Sequence, residues 1–439
     1  MSNKPPSKNR RTRREILTAG AAGLAGLSLY GRFAKSVLAA PEKEIAVKPA
    51  VIVVYMRGGM DALNALVPYT DGHYYDMRPN IAVPPPDKEN GCLDLDGTFG
   101  LNPGLTGFKK LWDEKLLAPI INVGVPSPSR SHFQMQDFME QGRMRNSAVR
   151  TGWLDRFLSA TSPHGPEGEF RALALQSRLP RALRGKYPAL AVAPSRLVRR
   201  PVDKDSDVLE LFDNLYKQPP SMERPGMKSE RTDEDELTQN GRATIDTLRK
   251  LEEILSTKPS GKEVAYPSTL GRLGQQFKMA ARVLKSGQGV EAIAFDWNGW
   301  DHHINEGGAK PEDVFRRRVA VVGDACATFY DDIKFMRKKV LTVIMTEFGR
   351  TNRENGNFGT DHGHGGAMYL MGGNVKGGKV YGDWAGLAPG KTYQNRDLLV
   401  TTDWRDALDE VLRGHLKLHP SKTIFDKWTP AEEKLGLFG

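Results

Sequence analysis

Val343-Ile-Met-Thr-Glu-Phe-Gly-Arg-Thr-Asn-Arg-Glu-Asn-Gly-Asn-Phe-Gly-Thr-Asp-His-Gly-His-Gly-Gly366 reads as a buried strand that runs into a polar, glycine-rich loop. The β-branched run from Val340 to Thr346 supplies the strand. It ends in Glu347, and the loop carries Asp361, His362 and His364. Side chains at the carboxyl end of a strand in an open α/β sheet face the usual ligand crevice. Carboxylates and imidazoles delivered there have the character of metal ligands.

The same pattern recurs upstream. Ala50 to Met56 is a continuous β-branched run suited to a central parallel strand, and it leads into Arg57-Gly-Gly-Met-Asp61. Ala118 to Val123 is a second strand, followed by a turn through Arg130-Ser131-His132. Ser129 or Ser131 can cap a helix running to about Gly142. A serine at a helix N-terminus is placed to act as a nucleophile, because backbone N–H groups and the helix dipole stabilise an anion there. Glu291 to Asp296 is another strand and leads to Asp301-His302-His303. Phe170–Leu175, Ala189–Ala193 and Ala367–Met371 are further strands. Helical spacing marks Leu105–Leu116, Leu237–Ser256, Leu270–Leu284, Asp313–Met336 and about Arg405–Leu416. Residues 69–104 read as an irregular excursion with a hairpin around Asn90-Gly91. The charged, Pro-rich block of about residues 200–286 reads as a helical insertion packed on the sheet domain.

The formal charge of +10 invites a nucleic-acid reading, but its distribution opposes it. The first forty residues carry +7, leaving +3 for the rest, so no basic surface remains to track a phosphate backbone. Those forty residues have another use. Thr12-Arg-Arg-Glu-Ile-Leu-Thr18 holds paired arginines, Leu17–Tyr30 is mildly apolar, and Val37-Leu38-Ala39 suits signal peptidase. Residues 1–40 therefore read as a twin-arginine export signal, with residues 41–439 as the mature domain. Fourteen weakly apolar residues fall short of the roughly 20 needed to span a bilayer, so no stable membrane anchor is expected. Export, to the periplasm or beyond the cell, makes the translocase a transient partner. Only two cysteines are present, Cys92 and Cys326. Cys326 lies on the apolar helix face Phe315, Val319, Val322, Cys326, Phe329, Ile333, and a disulfide between the two stays open at this level.

Four of the nine histidines, His302, His303, His362 and His364, fall in two loops after strands, each with an aspartate, and His132 lies in the serine segment. Imidazole and carboxylate together favour Zn or Mn over magnesium or calcium, as one ion or as two about 3.5–4 Å apart.

Five motifs in order, Val54–Asn64, Arg130-Ser-His-Phe133, Gly299-Trp-Asp-His-His303, Thr346–Thr351 and Gly359-Thr-Asp-His-Gly-His364, resemble the bacterial exported family of domain of unknown function 1501. That family is placed in the alkaline-phosphatase-like superfamily with sulfatases and cofactor-independent phosphoglycerate mutases. The resemblance covers roughly residues 45–416. It implies a three-layer α/β/α sandwich with a mostly parallel sheet and a metal-supported hydrolytic site, but no substrate. It further implies Asp61, Asp301 and His303 as metal ligands and Ser131 as the nucleophile. His362 and His364 would supply the late histidine ligand, with Asp361 as ligand or orienter. Glu347, also a candidate ligand, stands where the superfamily usually has Asp-His, and His302 replaces a usual threonine. Gly91-Cys92-Leu-Asp-Leu lacks the Cys-x-Pro-x-Arg setting of formylglycine sulfatases.

The expectation is an exported metal-dependent hydrolase of phosphate or sulfate esters, acting on a small-molecule or polymeric ester. Ser131 would attack in line, while Arg130 or Arg350 binds peripheral oxygens. The rival expectation is a non-catalytic exported binding or assembly protein that keeps the fold and a structural metal.

Overall fold

The computed structural model describes residues 48–144, 147–162, 170–194 and 264–439, together with Leu251 and Ile254. Residues 1–40, expected to be an export signal, and the part of the expected helical insertion at 200–263, apart from those two residues, lie outside the described residues. The strands, in chain order, are β1 (Ala50–Arg57), β2 (Leu66–Val67), β3 (Leu93–Asp94), β4 (Gly100–Leu101), β5 (Leu117–Gly124), β6 (Ala172–Ala174), β7 (Leu190–Ala191), β8 (Ala292–Asn298), β9 (Val340–Met345), β10 (Gly366–Gly372) and β11 (Thr402–Asp403).

Eight of them form one sheet in the order β11-β5-β10-β9-β1-β8-β6-β7. Every neighbouring pair is parallel except those made by β10, which runs antiparallel to both β5 and β9. A parallel strand at the centre of a sheet is buried on both faces, which is why β1 and β9 read as unbroken apolar runs without alternation. Ile52, Val54 and Met56 point into one core, and Val51, Val53 and Tyr55 into the other.

Helices cover both faces. On the first lie α1 (Thr106–Asp113), α4 (Gly271–Lys285) and α5 (Val314–Asp332), through Phe108, Phe277, Val319 and Phe329 among others. On the second lie α2 (His132–Gln141), α3 (Trp153–Ala160) and α6 (Trp404–Glu410), through Met135, Phe138, Trp153, Phe157 and Trp404. The architecture is the expected three-layer α/β/α sandwich. The described end of the insertion, α4, belongs to the outer layer itself: Phe277 meets Phe295 of β8 edge-on, with ring centroids 5.2 Å apart.

Two local readings shift, and one left open is resolved. The hairpin falls at β3–β4, where Asp96 accepts from Thr98 and Phe99 N–H, and not at Asn90-Gly91. The last helix starts at Trp404, capped by Asp403, and closes with a π turn at Val411–His415. Cys92 and Cys326 are buried free thiols. No described helix is long and apolar enough to cross a membrane.

Candidate metal centre

Because β1, β5, β8 and β9 run in one direction, their carboxyl ends share one edge of the sheet. The antiparallel β10 brings its amino end to that edge, so the loop before it, with His362 and His364, arrives at the same place. Gly58 allows two of these loops to meet. It adopts φ +126°, and a Cβ there would lie 2.5 Å from Asp301 N.

Asp301, His303 and His362 converge. Asp301 Oδ1 lies 2.9 Å from His303 Nε2 and 3.0 Å from His362 Nε2, and the two Nε2 atoms are 3.1 Å apart. The far nitrogen of each ring is held by an acceptor. His362 Nδ1 donates to the carbonyl of Arg130 at 3.0 Å, and His303 Nδ1 donates to Asp361 Oδ1 at 3.0 Å. In the neutral rings both Nε2 atoms therefore carry bare lone pairs, so three electron-rich atoms face one another with no proton between them. Donors on a tetrahedral ion with bonds near 2.0–2.1 Å stand about 3.3 Å apart, so this set has the spacing and chemistry of a metal site.

His132 is the residue that the sequence leaves as a mere neighbour of the serine. Its Nδ1 donates to Glu347 Oε1 at 2.7 Å, and its Nε2 lies 3.4 Å from Asp301 Oδ2 with no hydrogen-bond partner among the described residues. His132, Asp301 and His362 offer ligand atoms within 4.8 Å of one another. The ring packs edge-on against His362 at 4.2 Å. Its sequence signals are its position after a strand end and its place in the Arg130-Ser-His-Phe133 motif, and neither marks it as a ligand.

Glu347 orients instead of ligating. It is fully buried, and Oε1 accepts from His132, from Gly58 N at 2.8 Å and from Gln136 Nε2 at 2.8 Å. Burial opposes its charge, but the bonds from His132 and Gln136 prevail and hold its pKa below the usual value. The same carboxylate raises the pKa of His132 by hydrogen bonding, against the effect of burial. Gln136 in turn accepts from Arg57 Nη1 at 3.0 Å, and Arg57 pairs with Asp296 at 2.9 Å and Glu140 at 3.1 Å. The carboxylate–histidine pair thus ends a chain of buried polar contacts, the kind of backing that fixes a ligand's tautomer.

The electrostatics at Asp301 agree. Burial raises its pKa, but the bond from Arg350 Nη1 at 2.7 Å and that guanidinium's charge outweigh it, leaving a pKa of about 2. For Asp361 burial likewise opposes, and the bonds from His303 and Asn355 bring the pKa below normal. Burial lowers the pKa of His362, aided by His132 and Arg350 and opposed by Asp301.

The remaining candidates stand elsewhere. Asp61 is buried, with both carboxylate oxygens engaged by the buried Arg78 and Oδ1 also capping the turn at Leu63 N. Arg78 also donates to Thr351 O and Asn352 O, so Asp61 anchors a loop where ligation was expected. Arg350 is almost fully buried on Asp301, Thr360 and Gly58 O, so it holds a ligand and does not reach for substrate. His364 donates from Nδ1 to the buried Asp397 at 2.7 Å, apart from the triad, and its Nε2 has no described partner. Arg130 pairs with the same Asp397 at 2.6 Å. His302 turns inward against Trp300 and Phe315, and burial, with Arg318 and Arg350, pushes its pKa down to about 4. Ser131 is the exposed N-cap of α2 and makes no side-chain capping bond. Its two chain neighbours, Arg130 and His132, both touch the cluster.

A family model described as protein of unknown function (DUF1501) matches residues 119–411. Comparison with curated proteins gives no match. Solved structures that overlap this one include PsFucS1 sulfatase from Pseudoalteromonas sp., at 11% identity and TM-score 0.38, covering 89% of this chain and 72% of that one. Alkaline phosphatase from the Antarctic bacterium TAB5 overlaps at 10% identity and TM-score 0.29, covering 74% of this chain and 92% of that one. Neither reaches a TM-score of 0.5, and the functional reading rests on the site itself.

Proposed function

Given that the chain belongs to the DUF1501 family, whose description assigns no chemistry, we propose from its own residues that it is an exported metal-dependent hydrolase of phosphate or sulfate esters. The observation that carries this is the meeting of Asp301 Oδ1, His303 Nε2 and His362 Nε2 within 2.9–3.1 Å, with both histidine tautomers fixed from behind. Asp301, His303 and His362 would hold one ion, with His132 as a fourth donor. Zn or Mn fits this nitrogen and oxygen set. When bound, such an ion neutralises charge on the transferring group and lowers the pKa of a coordinated hydroxyl.

The chain's own groups do the rest. Glu347, Asp361 and the Arg130 carbonyl orient the three imidazoles, and Arg350 keeps Asp301 ionised. Ser131 Oγ, free of any capping bond at the N-terminus of α2, attacks the phosphorus or sulfur. The ester bond to the leaving alcohol breaks, and that alcohol takes up the proton the serine loses. Water then cleaves the seryl ester and restores the hydroxyl. The α2 dipole favours negative charge at this end of the helix. With Asp61 and His364 engaged elsewhere, the geometry favours a single ion over a pair.

The test is to purify the mature protein, measure bound metal, and assay an aryl phosphate, a diester and an aryl sulfate. Turnover that depends on metal and is lost in Ser131→Ala and His303→Ala supports the proposal. Metal-loaded protein inert on all three overturns it.

A further inference from the structure

Beyond Ala294, β8 loses its neighbour on one side, because β6 pairs with it only opposite Ala292–Ala294. Side chains fill the open edge. Gln176 Oε1 accepts from Asp296 N at 2.7 Å, Arg272 Nη2 donates to Asp296 O at 3.1 Å, and Arg318 Nη2 donates to Asn298 O. The two guanidiniums also share an aromatic ring. Arg272 and Arg318 stand 5.6 Å and 5.8 Å from the centre of the Trp297 ring, and Arg318 lies 5.0 Å from that of Trp300.

Neither arginine has a carboxylate partner among the described residues. Asp296, the acid at this strand end, is taken by Arg57 at 2.9 Å and by Gln176 at 3.1 Å. In Arg57, Arg78 and Arg171 a carboxylate outweighs burial and raises the pKa, whereas in Arg318 burial acts alone and lowers it. Helix stability does not ask for these cations either. Arg272 is the second residue of α4 and Arg318 the fifth of α5, and neither helix has an acid in its first turn. The positive end of a helix dipole repels cations and attracts anions. Arg318 Nε and Trp297 Nε1 are buried with no partner among the described residues. A cation–π contact occupies the face of a guanidinium and leaves its in-plane N–H groups free, so the cluster is a set of ordered donors short of an acceptor.

The cluster adjoins the loop of the metal centre. A Cβ on Gly299 would lie 2.8 Å from Arg318 Nη2, and Trp300 carries Arg318 on its ring with the His302 ring 6.0 Å away. Asn298 and Asp301 are three residues apart in the chain, so their Cα atoms are separated by at most about 11 Å. A ligand that meets Asp301, His303 and His362 with one anion and the arginines with another must carry its charges on the order of 10 Å apart. That span excludes a small monoester and fits a chain bearing repeated anions.

We propose that Arg272 and Arg318, held over Trp297, form a second anion-binding subsite. The substrate is then a polyanionic ester, whose next phosphate, sulfate or carboxylate docks there while one ester group meets the metal centre. This assignment of the substrate class rests on the hydrolase reading.

Inorganic sulfate is first titrated calorimetrically into the metal-free full chain. Binding is expected, and it should weaken about 10- to 100-fold in the double variant Arg272→Gln, Arg318→Gln, the worth of the lost charge-assisted hydrogen bonds. The variant should keep the parent's melting temperature and zinc content, because no carboxylate loses its partner. Zinc-equilibrated protein is then titrated with α,ω-alkane bisphosphonates of increasing length and with the monophosphonate of each length. A bisphosphonate long enough to bridge should bind about 10-fold or more tighter than its monophosphonate, and the variant should erase that advantage. Sulfate binding absent from the parent, or equal in parent and variant, overturns the subsite. So does a lowered melting temperature with unchanged sulfate affinity, which would assign the arginines to folding alone. A bisphosphonate with no advantage at any length overturns the substrate class. Failure to bind zinc with sulfate binding intact sinks the hydrolase reading and the substrate class with it, while the anion subsite stands.

Discussion

Replacing Arg78 with Met should destabilise the protein by about 3–5 kcal/mol, the usual cost of removing one partner from a buried ion pair. The pair is fully enclosed, with Asp61 1% and Arg78 0% exposed. Without the guanidinium, Asp61 must stay charged in an apolar setting or take up a proton. Two further acceptors lose their donor, Asn352 O at 2.8 Å and Thr351 O at 2.9 Å, while Asn64 Oδ1 keeps only the bond from the Tyr74 hydroxyl at 2.7 Å. Each orphaned acceptor costs about 1–3 kcal/mol before relaxation, so the lower end of the range already assumes that water enters. The assay is urea unfolding of the single variants and of the double variant with Asp61→Leu. The double variant should recover part of the loss, with a coupling energy of about 2 kcal/mol. Asp61→Asn supplies the counter-test, and its affinity for zinc, measured by chelator competition, should stay within about twofold of the parent, since a residue without ligand contact leaves that equilibrium alone. Loss of metal binding with unchanged unfolding would refute the anchoring role and restore Asp61 as a ligand.

Glu347→Gln keeps the shape of the residue behind His132 but removes the charge, and it is expected to weaken metal binding about 10- to 100-fold, as measured by chelator competition, with the melting temperature little changed. Gly58→Ala should abolish soluble expression or metal binding, because the Cβ would strike Asp301 N at 2.5 Å from a φ of +126°; a native-like melting curve with normal binding would count against it. Glu306 is buried, and burial, reinforced by Asp61, raises its pKa well above 4.5. A carboxyl whose folded pKa is raised stabilises most below its unfolded pKa, and that contribution falls away as pH rises toward the folded value. Melting temperature should therefore decline from about pH 5 upward on this account, and Glu306→Gln should flatten the decline.

How much could be read in advance varies with the range over which each feature is determined. The strands at Ala50–Arg57 and Val340–Met345 were legible because burial on both faces needs unbroken apolar runs. The helix after Ser131 was legible from the serine before it and from Gly142, which ends it in the αL conformation, although Ser131 makes no capping bond. Asp301, His303 and His362 could be nominated because histidine and aspartate just past strand ends are chemically conspicuous. His132 could not be weighed in the same way, since nothing local marks a histidine at a helix start as facing a centre formed by residues more than 160 positions away. The hairpin moved for a local reason: Asp96 caps its own turn, and that outweighed the Asn90-Gly91 signal.

The charged residues show the boundary most clearly. Sequence alone determined which elements form, that their polar ends carry carboxylates and imidazoles, and that the chain has the motifs of its family. Only the tertiary structure decided which of those groups are ligands and which are supports. A carboxylate's role depends on what occupies its lone pairs. Asp61 meets Arg78 from 17 positions along the chain, Glu347 meets His132 from 215 positions away, and Asp301 is left facing two bare imidazole nitrogens. Residue type states what an oxygen can do, but packing fixes what it meets.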